Sequence, residues 1–191
     1  MPSGIDLHIH TDASDGTFTP EGLLNEIDKK NIKIFAVTDH DTINGAMAVK
    51  KILDGKNLKF IRGIEFSCRT SENGKTKIKC HILGLNYDEN HKAFQEVLRA
   101  GSELRREKFY KRIELLREKF NITFTNLEIE NLLKIPSVGK PHLGNLIVKK
   151  GFAATRPEAI ENFVDKCSSG NDKLEADFVI SAINSSGGTP V

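Results

Sequence analysis

Asp6-Leu7-His8-Ile9-His10-Thr11-Asp12-Ala13-Ser14-Asp15-Gly16 is the stretch from which the fold is read. Ile5, Leu7 and Ile9 alternate with Asp6, His8 and His10, a spacing that predicts a β-strand. With a period of two, both imidazoles fall on one face and finish beside the loop Thr11–Thr17. That loop adds the carboxylates of Asp12 and Asp15, and Gly16 permits a sharp turn. Two histidines on one face can share a metal ion, because imidazole ligates Zn, Fe and related metals. An isolated His-x-His on an edge strand is more often surface decoration, so the case rests on the rest of the chain.

Working outward, Thr19-Pro20-Glu21 reads as a helix start, with a capping hydroxyl, Pro in the first turn and then an acid. Leu23, Leu24 and Ile27 give that helix an apolar stripe. Ile34-Phe35-Ala36-Val37 predicts a strand covered on both faces, stopping at Thr38-Asp39-His40-Asp41. A helix over Ile43–Leu53 follows, then a third strand from Leu58 to Ile64 that ends at Glu65. A polar hairpin centred on Glu72-Asn73-Gly74-Lys75 leads to a fourth strand, Ile78–Leu85, carrying His81. Strand–helix–strand order implies parallel strands whose carboxyl ends share one rim, where α/β proteins place their sites. His8, His10, Asp39, His40 and Glu65 fall at such ends, and His81 joins them if its antiparallel strand is suitably placed.

From Glu89 the pattern turns helical. Phe94, Val97, Leu98, Leu104, Ile113, Leu116 and Phe120 recur at helix spacing in one long helix. Leu127–Leu133 and Leu143–Lys150 predict two more, the latter closed by Gly151. Thr155-Arg156-Pro157-Glu158 is a capping box that opens a fourth. The division expected is a barrel portion over 1–88, an inserted helical cap over 89–174, and a return to the barrel over 175–191. Within the cap, Arg105, Arg106, Lys108, Lys111, Arg112 and Arg117 could face an anionic substrate, although a solvated helix face is the preferred reading. Ala176, Val179, Ile180 and Ile183 form a last helix, and Thr189-Pro190-Val191 begins another strand.

Composition narrows the classes. The 191 residues can bury a sizeable core, and a net charge of +2 makes no overall electrostatic case for nucleic acid or membrane. Three cysteines without paired spacing argue against a disulfide framework and suggest a reducing compartment. Neither a signal-peptide pattern nor a membrane-length apolar run is present, so a soluble cytoplasmic protein with no obligate protein partner is expected.

The ordered motifs Asp6-Leu7-His8-Ile9-His10-Thr11, Ser14-Asp15-Gly16, Ala36-Val37-Thr38-Asp39-His40-Asp41, Gly63-Ile64-Glu65-Phe66 and His81-Ile82-Leu83-Gly84 resemble those of the PHP family of metal-dependent phosphoesterases. Lys140-Pro141-His142 resembles a feature of its small nucleotide-phosphatase branch. The resemblance implies an α/β fold, a distorted (β/α)7 barrel whose rim holds two or three divalent ions (Mn, Fe or Zn). It implies His8 and His10 as ligands of the first metal, and Glu65 as the bridge to the second. His81 would serve the second metal, and Asp15 and His40 the third. The family's further ligands, a His in an Ala-His-Pro-like motif and an Asp-x-His pair, have no match here. A barrel needs ~200–250 residues, so it is expected to be truncated at its C-terminal end, with each metal short of a protein ligand.

Mixed imidazole and carboxylate ligands suit Zn, Mn or Fe. Two such ions ~3.5–4 Å apart can hold a phosphoryl oxygen, and a metal-bound hydroxide then serves as nucleophile. Asp6, Asp12, Asp39 or Asp41 could orient the imidazoles, while Asp12 and Asp41 could equally cap the next turns. Lys140 and His142 could bind the substrate phosphate or protonate the leaving group, or simply begin a helix. The function expected is hydrolysis of small phosphate monoesters, such as nucleotides or oligonucleotide ends. Histidinol-phosphate phosphatase and a non-catalytic metal-binding module are the alternatives.

Overall fold

Three parallel strands form the frame of the molecule: β1 (Ile5–Ile9), β2 (Ile34–Val37) and β3 (Lys59–Glu72). The computed structural model describes residues 4–53, 58–72, 75–167 and 173–191. β4 (Lys75–Leu85) pairs antiparallel with β3, and β6 (Thr189–Pro190) antiparallel with β4. β5 (Leu174–Glu175), a strand not expected from the sequence, pairs parallel with β3 at Cys68 and Arg69. The sheet runs β1-β2-β3-β4-β6 and is open among the described residues. The tip of the expected hairpin, Asn73-Gly74, lies outside the described residues, although Glu72 and Lys75 pair beside it.

β3 does not stop at Glu65. Its period-two pattern continues, with Ile64, Phe66 and Cys68 fully buried on one face. β4 supplies the hydrogen-bonding partner for that extension, from Gly63↔Leu85 to Glu72↔Lys75. β1 departs from ideal alternation in a different way. A register shift between Asp6 and Ile9 marks a bulge, and Ile5 at this edge is 49% exposed.

The helices cover the sheet as their sequences dictate. α1 (Pro20–Lys29) is capped by Thr19, whose hydroxyl accepts from the Gly22 N–H. Leu23, Leu24 and Ile27 pack with Phe35 and Val37 of β2, and with Ala46 and Val49 of α2 (Asn44–Ile52). Burying each such side chain contributes about 2 kcal/mol. α3 (Lys92–Phe120) is one helix of 29 residues, ended by Asn121 in the left-handed region. Its first half packs Phe94 and Val97 with α7 (Ala176–Ser185) over β3 and β4. Its second half carries Phe109 and Leu116 into a separate cluster.

That second cluster belongs to the helical segment. α4 (Asn126–Leu133) opens with a reciprocal capping box between Thr125 and Glu128. α5 (Lys140–Lys149) buries Leu143 and Ile147, and Gly151 follows it at φ +80°. α6 (Arg156–Ala159) is a single turn that widens into a π-helical turn at Ile160–Val164. The Glu158 carboxylate there accepts from the Ala154 N–H rather than closing the box on Thr155 itself. No described helix is long and apolar enough to cross a membrane. Cys68, Cys80 and Cys167 are free thiols.

Candidate metal centre

The rim of the sheet is built from strand ends that the backbone ties together. Thr38 N–H donates to the Ile9 carbonyl at 2.7 Å, Glu65 N–H to the Asp39 carbonyl at 3.1 Å, and Asp41 N–H to the Glu65 carbonyl at 2.9 Å. These bonds hold the ends of β1 and β2 against the middle of β3. His8 and His10 come from β1 and the residue beyond it, His40 follows β2, and Glu65 is mid-strand in β3. His81 stands on β4 opposite Ser67, diagonally across from Glu65 on the same face.

Glu65 is the hub. Its Oε2 lies 3.0 Å from His8 Nε2, 3.1 Å from His10 Nε2 and 3.5 Å from His40 Nδ1. Its Oε1 lies 2.6 Å from His81 Nδ1. Asp15 forms the second carboxylate pole, 3.1 Å from His10 Nδ1 and 3.6 Å from His40 Nε2. Three triads therefore bring one ligand atom per residue within 4.8 Å of one another: His8/His10/Glu65, His10/Asp15/His40 and His40/Glu65/His81. The six residues that the resemblance implies as ligands, His8, His10, Asp15, His40, Glu65 and His81, meet in one cluster. Asp39, also expected at the rim, bonds to Thr11 and Ser14 instead.

Its electrostatics follow from that crowding. Burial opposes ionisation of Glu65, yet hydrogen bonds from His10 and His81 and the charge of His40 hold its carboxyl well below the usual range. Asp15, bonded by His10, is lowered to about 2. Burial alone would lower His10, but the bonds and charges of Asp15 and Glu65 outweigh it and raise the imidazole to about 9. Burial, with Arg105 nearby, takes His40 down to about 4. The His40 Nδ1 atom is buried and lacks a hydrogen-bond partner. An orphaned imidazole nitrogen facing a shared carboxylate is a donor set that fits a divalent cation of the Zn, Mn or Fe type.

The loop after β1 owes its shape to Asp39, which is 1% exposed. Its Oδ1 accepts from the Thr11 N–H (2.8 Å) and the Ser14 hydroxyl (2.6 Å), and its Oδ2 from the Thr11 hydroxyl (2.7 Å). Gly16 sits so close to the His10 carbonyl that a Cβ would collide with it, so close approach rather than unusual φ explains this glycine. No imidazole in the cluster is hydrogen-bonded by Asp6, Asp12, Asp39 or Asp41 among the described residues. Asp41, at φ +48°, instead accepts from the Ser67 N–H (2.9 Å) and from Arg105 Nε and Nη2 (2.9 and 2.6 Å).

The cluster opens on a cavity of about 460 Å³. Asp15, His40 and His81 line it together with cations from β4, α3, α5 and the residue before β5. Arg105, Lys108 and Arg112, at i, i+3 and i+7 on α3, face it, which corrects the reading of that basic run as wholly solvated. Lys111 and Arg117 instead line a groove with Tyr110 and Phe124, and Arg106 lies over the Tyr110 ring at 5.8 Å. Lys140 lines the cavity and pairs with Asp165 at 2.6 Å. His142 lies beside the loop; its Nδ1 accepts from the Gly139 N–H at 2.9 Å, as a cap of its own helix. The sequence reading missed Lys79 and Ser67, although each stands two residues from a rim residue on the same strand face. Lys173 carries no sequence signal.

The chain is similar to known proteins. The 5'-3' exoribonuclease Rnm of Salmonella typhimurium is 29% identical over 170 residues, covering 86% of this chain and 55% of the relative. The phosphoribosyl 1,2-cyclic phosphate 1,2-diphosphodiesterase of Eggerthella lenta is 35% identical over 101 residues, 53% of this chain and 37% of that one. A crystal structure from Bifidobacterium adolescentis, described as a metal-dependent phosphoesterase, matches with a TM-score of 0.83 and 25% identity, over 100% of this chain and 66% of that chain. The chain spans about half the length of the Salmonella relative. The family model described as PHP domain matches residues 6–170, a span holding all six residues of the cluster, and this chain belongs to that family.

Proposed function

We propose that the chain is the site-bearing part of a metal-dependent phosphoesterase acting on small phosphorylated nucleotides or oligonucleotide ends. The observation that carries the reading is the junction of three imidazole–carboxylate triads, sharing Glu65, with a cavity walled by Arg and Lys side chains. His8, His10 and Glu65 would hold one ion, and Glu65, His40 and His81 a second. Asp15, His10 and His40 frame a third position. Ions bound there polarise a phosphoryl oxygen and lower the pKa of water. The chain's own residues do the rest: Glu65 and Asp15 gather the imidazoles, and Lys140 draws the phosphate in and orients it. The helical segment 89–174 acts as a cap, since it supplies Arg105, Lys108, Arg112 and Lys140. The open sheet is read as part of the distorted barrel that the family resemblance implies. Nucleotide chemistry is favoured by the ribonuclease named among the relatives.

The test is product release by the full chain in Mn. The substrates are nucleoside monophosphates, a nucleoside bisphosphate and a 5'-phosphorylated oligonucleotide. Release that is abolished by EDTA and by His10→Ala is expected. A protein that takes up Mn yet turns over none of these would overturn the reading.

A further inference from the structure

One pleat along the sheet from the metal-ligand cluster lies a second concentration of charge. Ser67 follows Glu65 by two residues on β3, and Lys79 precedes His81 by two on β4. The Ser67–Lys79 diagonal therefore repeats the Glu65–His81 diagonal on the same face, about 7 Å further along the strands. α3 reaches this point through two residues one turn apart. Gly101 brings the helix against Asp41 and Leu174, and Arg105 then spans from Asp41 to the Ser67 hydroxyl (Nη2 to Oγ, 3.2 Å). Lys173, just before β5, lines both the cavity and a recess it shares with Asp41, Ser67 and Arg105.

Among the described residues, the only carboxylates lining cavity and recess are Asp15, bonded to His10, and Asp41, taken up by Arg105 and the Ser67 N–H. Lys79 and Lys173 make no ion pair among the described residues. Burial pushes the Lys173 ammonium below its ordinary range against the opposing charge of Asp41, and Lys79 adds to the lowering. Adjacent cations around a hydroxyl, with one guanidinium already fixed in place, are stabilised by an anion that accepts from all of them.

We infer that Ser67, Lys79, Arg105 and Lys173 form an anion subsite, distinct from the imidazole–carboxylate cluster, that takes a phosphate group of the substrate other than the one hydrolysed. The word substrate rests on the function proposed above; the subsite itself rests on the geometry. Asp41 is its positioning residue, holding the Arg105 fork.

Two measurements on the full chain test this. In metal-free protein, calorimetric titration with inorganic phosphate is expected to give binding that weakens at least tenfold in a Lys79→Met, Lys173→Met double variant. Arginine replacements at both positions should restore it, and far-UV circular dichroism of each variant confirms folding. In Mn-loaded protein, the ratio of kcat/KM for adenosine 3',5'-bisphosphate to that for adenosine 3'-monophosphate should fall at least tenfold in the double variant, through KM. Phosphate binding that is absent, or within twofold in the Met variant, would overturn the subsite. A phosphate effect without a change in the kinetic ratio would overturn its use by substrate. Loss of the phosphoesterase reading would appear instead as absent turnover while the Lys-dependent phosphate binding persisted.

Discussion

His81 Nδ1 lies 2.6 Å from Glu65 Oε1, although the two residues stand on strands that run in opposite directions. The register makes this possible: Ser67 faces His81, so Glu65 and His81 are diagonal neighbours whose side chains leave the same face. An antiparallel strand thus delivers an imidazole to a rim otherwise made by parallel strand ends.

Because four imidazoles converge on this one carboxylate, Glu65→Gln is expected to remove at least one metal ion per chain. Elemental analysis after incubation with Mn and desalting checks it, with Lys111→Gln, on the opposite face of α3, as the control. Unchanged metal content in Glu65→Gln would mean that the cluster is not the binding site.

Asp39 is expected to matter for stability more than any ligand. Asp39→Ala leaves the Thr11 N–H and two hydroxyls without their acceptor in a buried place, at a cost of about 3 kcal/mol. Urea unfolding of metal-free protein measures this, and a loss below about 1 kcal/mol would show that the loop does not depend on it.

Gly45→Ala separates packing from helix propensity. Propensity alone favours Ala in α2 by about 1 kcal/mol. A Cβ at this position would meet the Asp39 carboxylate and the Thr11 hydroxyl, so net destabilisation of about 2 kcal/mol is expected instead. A raised melting temperature would contradict the close packing of α2 on the loop.

Metal-free protein should be most stable near pH 6.5. His10, raised to about 9 against burial by its bonds and charges with Asp15 and Glu65, contributes fully below its ordinary 6.5, and that contribution is lost as pH rises towards 9. His40, lowered to about 4 by burial, opposes folding increasingly as pH falls from 6.5 through 4. Asp15, held at about 2 by His10, loses its contribution between its ordinary 3.8 and 2. Urea midpoints in EDTA at pH 4, 6.5 and 9 give the profile; a midpoint at pH 9 equal to that at 6.5 would be the contrary result.

The chain order of apolar alternation, caps and glycines was enough to read β1, β2, α1, α2 and the long α3, because those signals are local. His8, His10, Asp15 and His40 were legible for a similar reason: they stand at or just beyond the ends of β1 and β2, which a parallel crossover brings to one rim. Glu65 and His81 lie within β3 and β4 and reach it through strand register. Only tertiary structure decided how far β3 runs, because its extension past Glu65 depends on the partner β4 provides. It also decided that Arg105, Lys108 and Arg112 face the cavity while Lys111 and Arg117 do not, since helix period names faces but not what each face meets. The pairing of Asp41 with Arg105, across 64 positions of sequence, follows from α3 passing over the rim at Gly101. Local sequence sets which side chains share a face; the packing of distant segments sets which charges find one another.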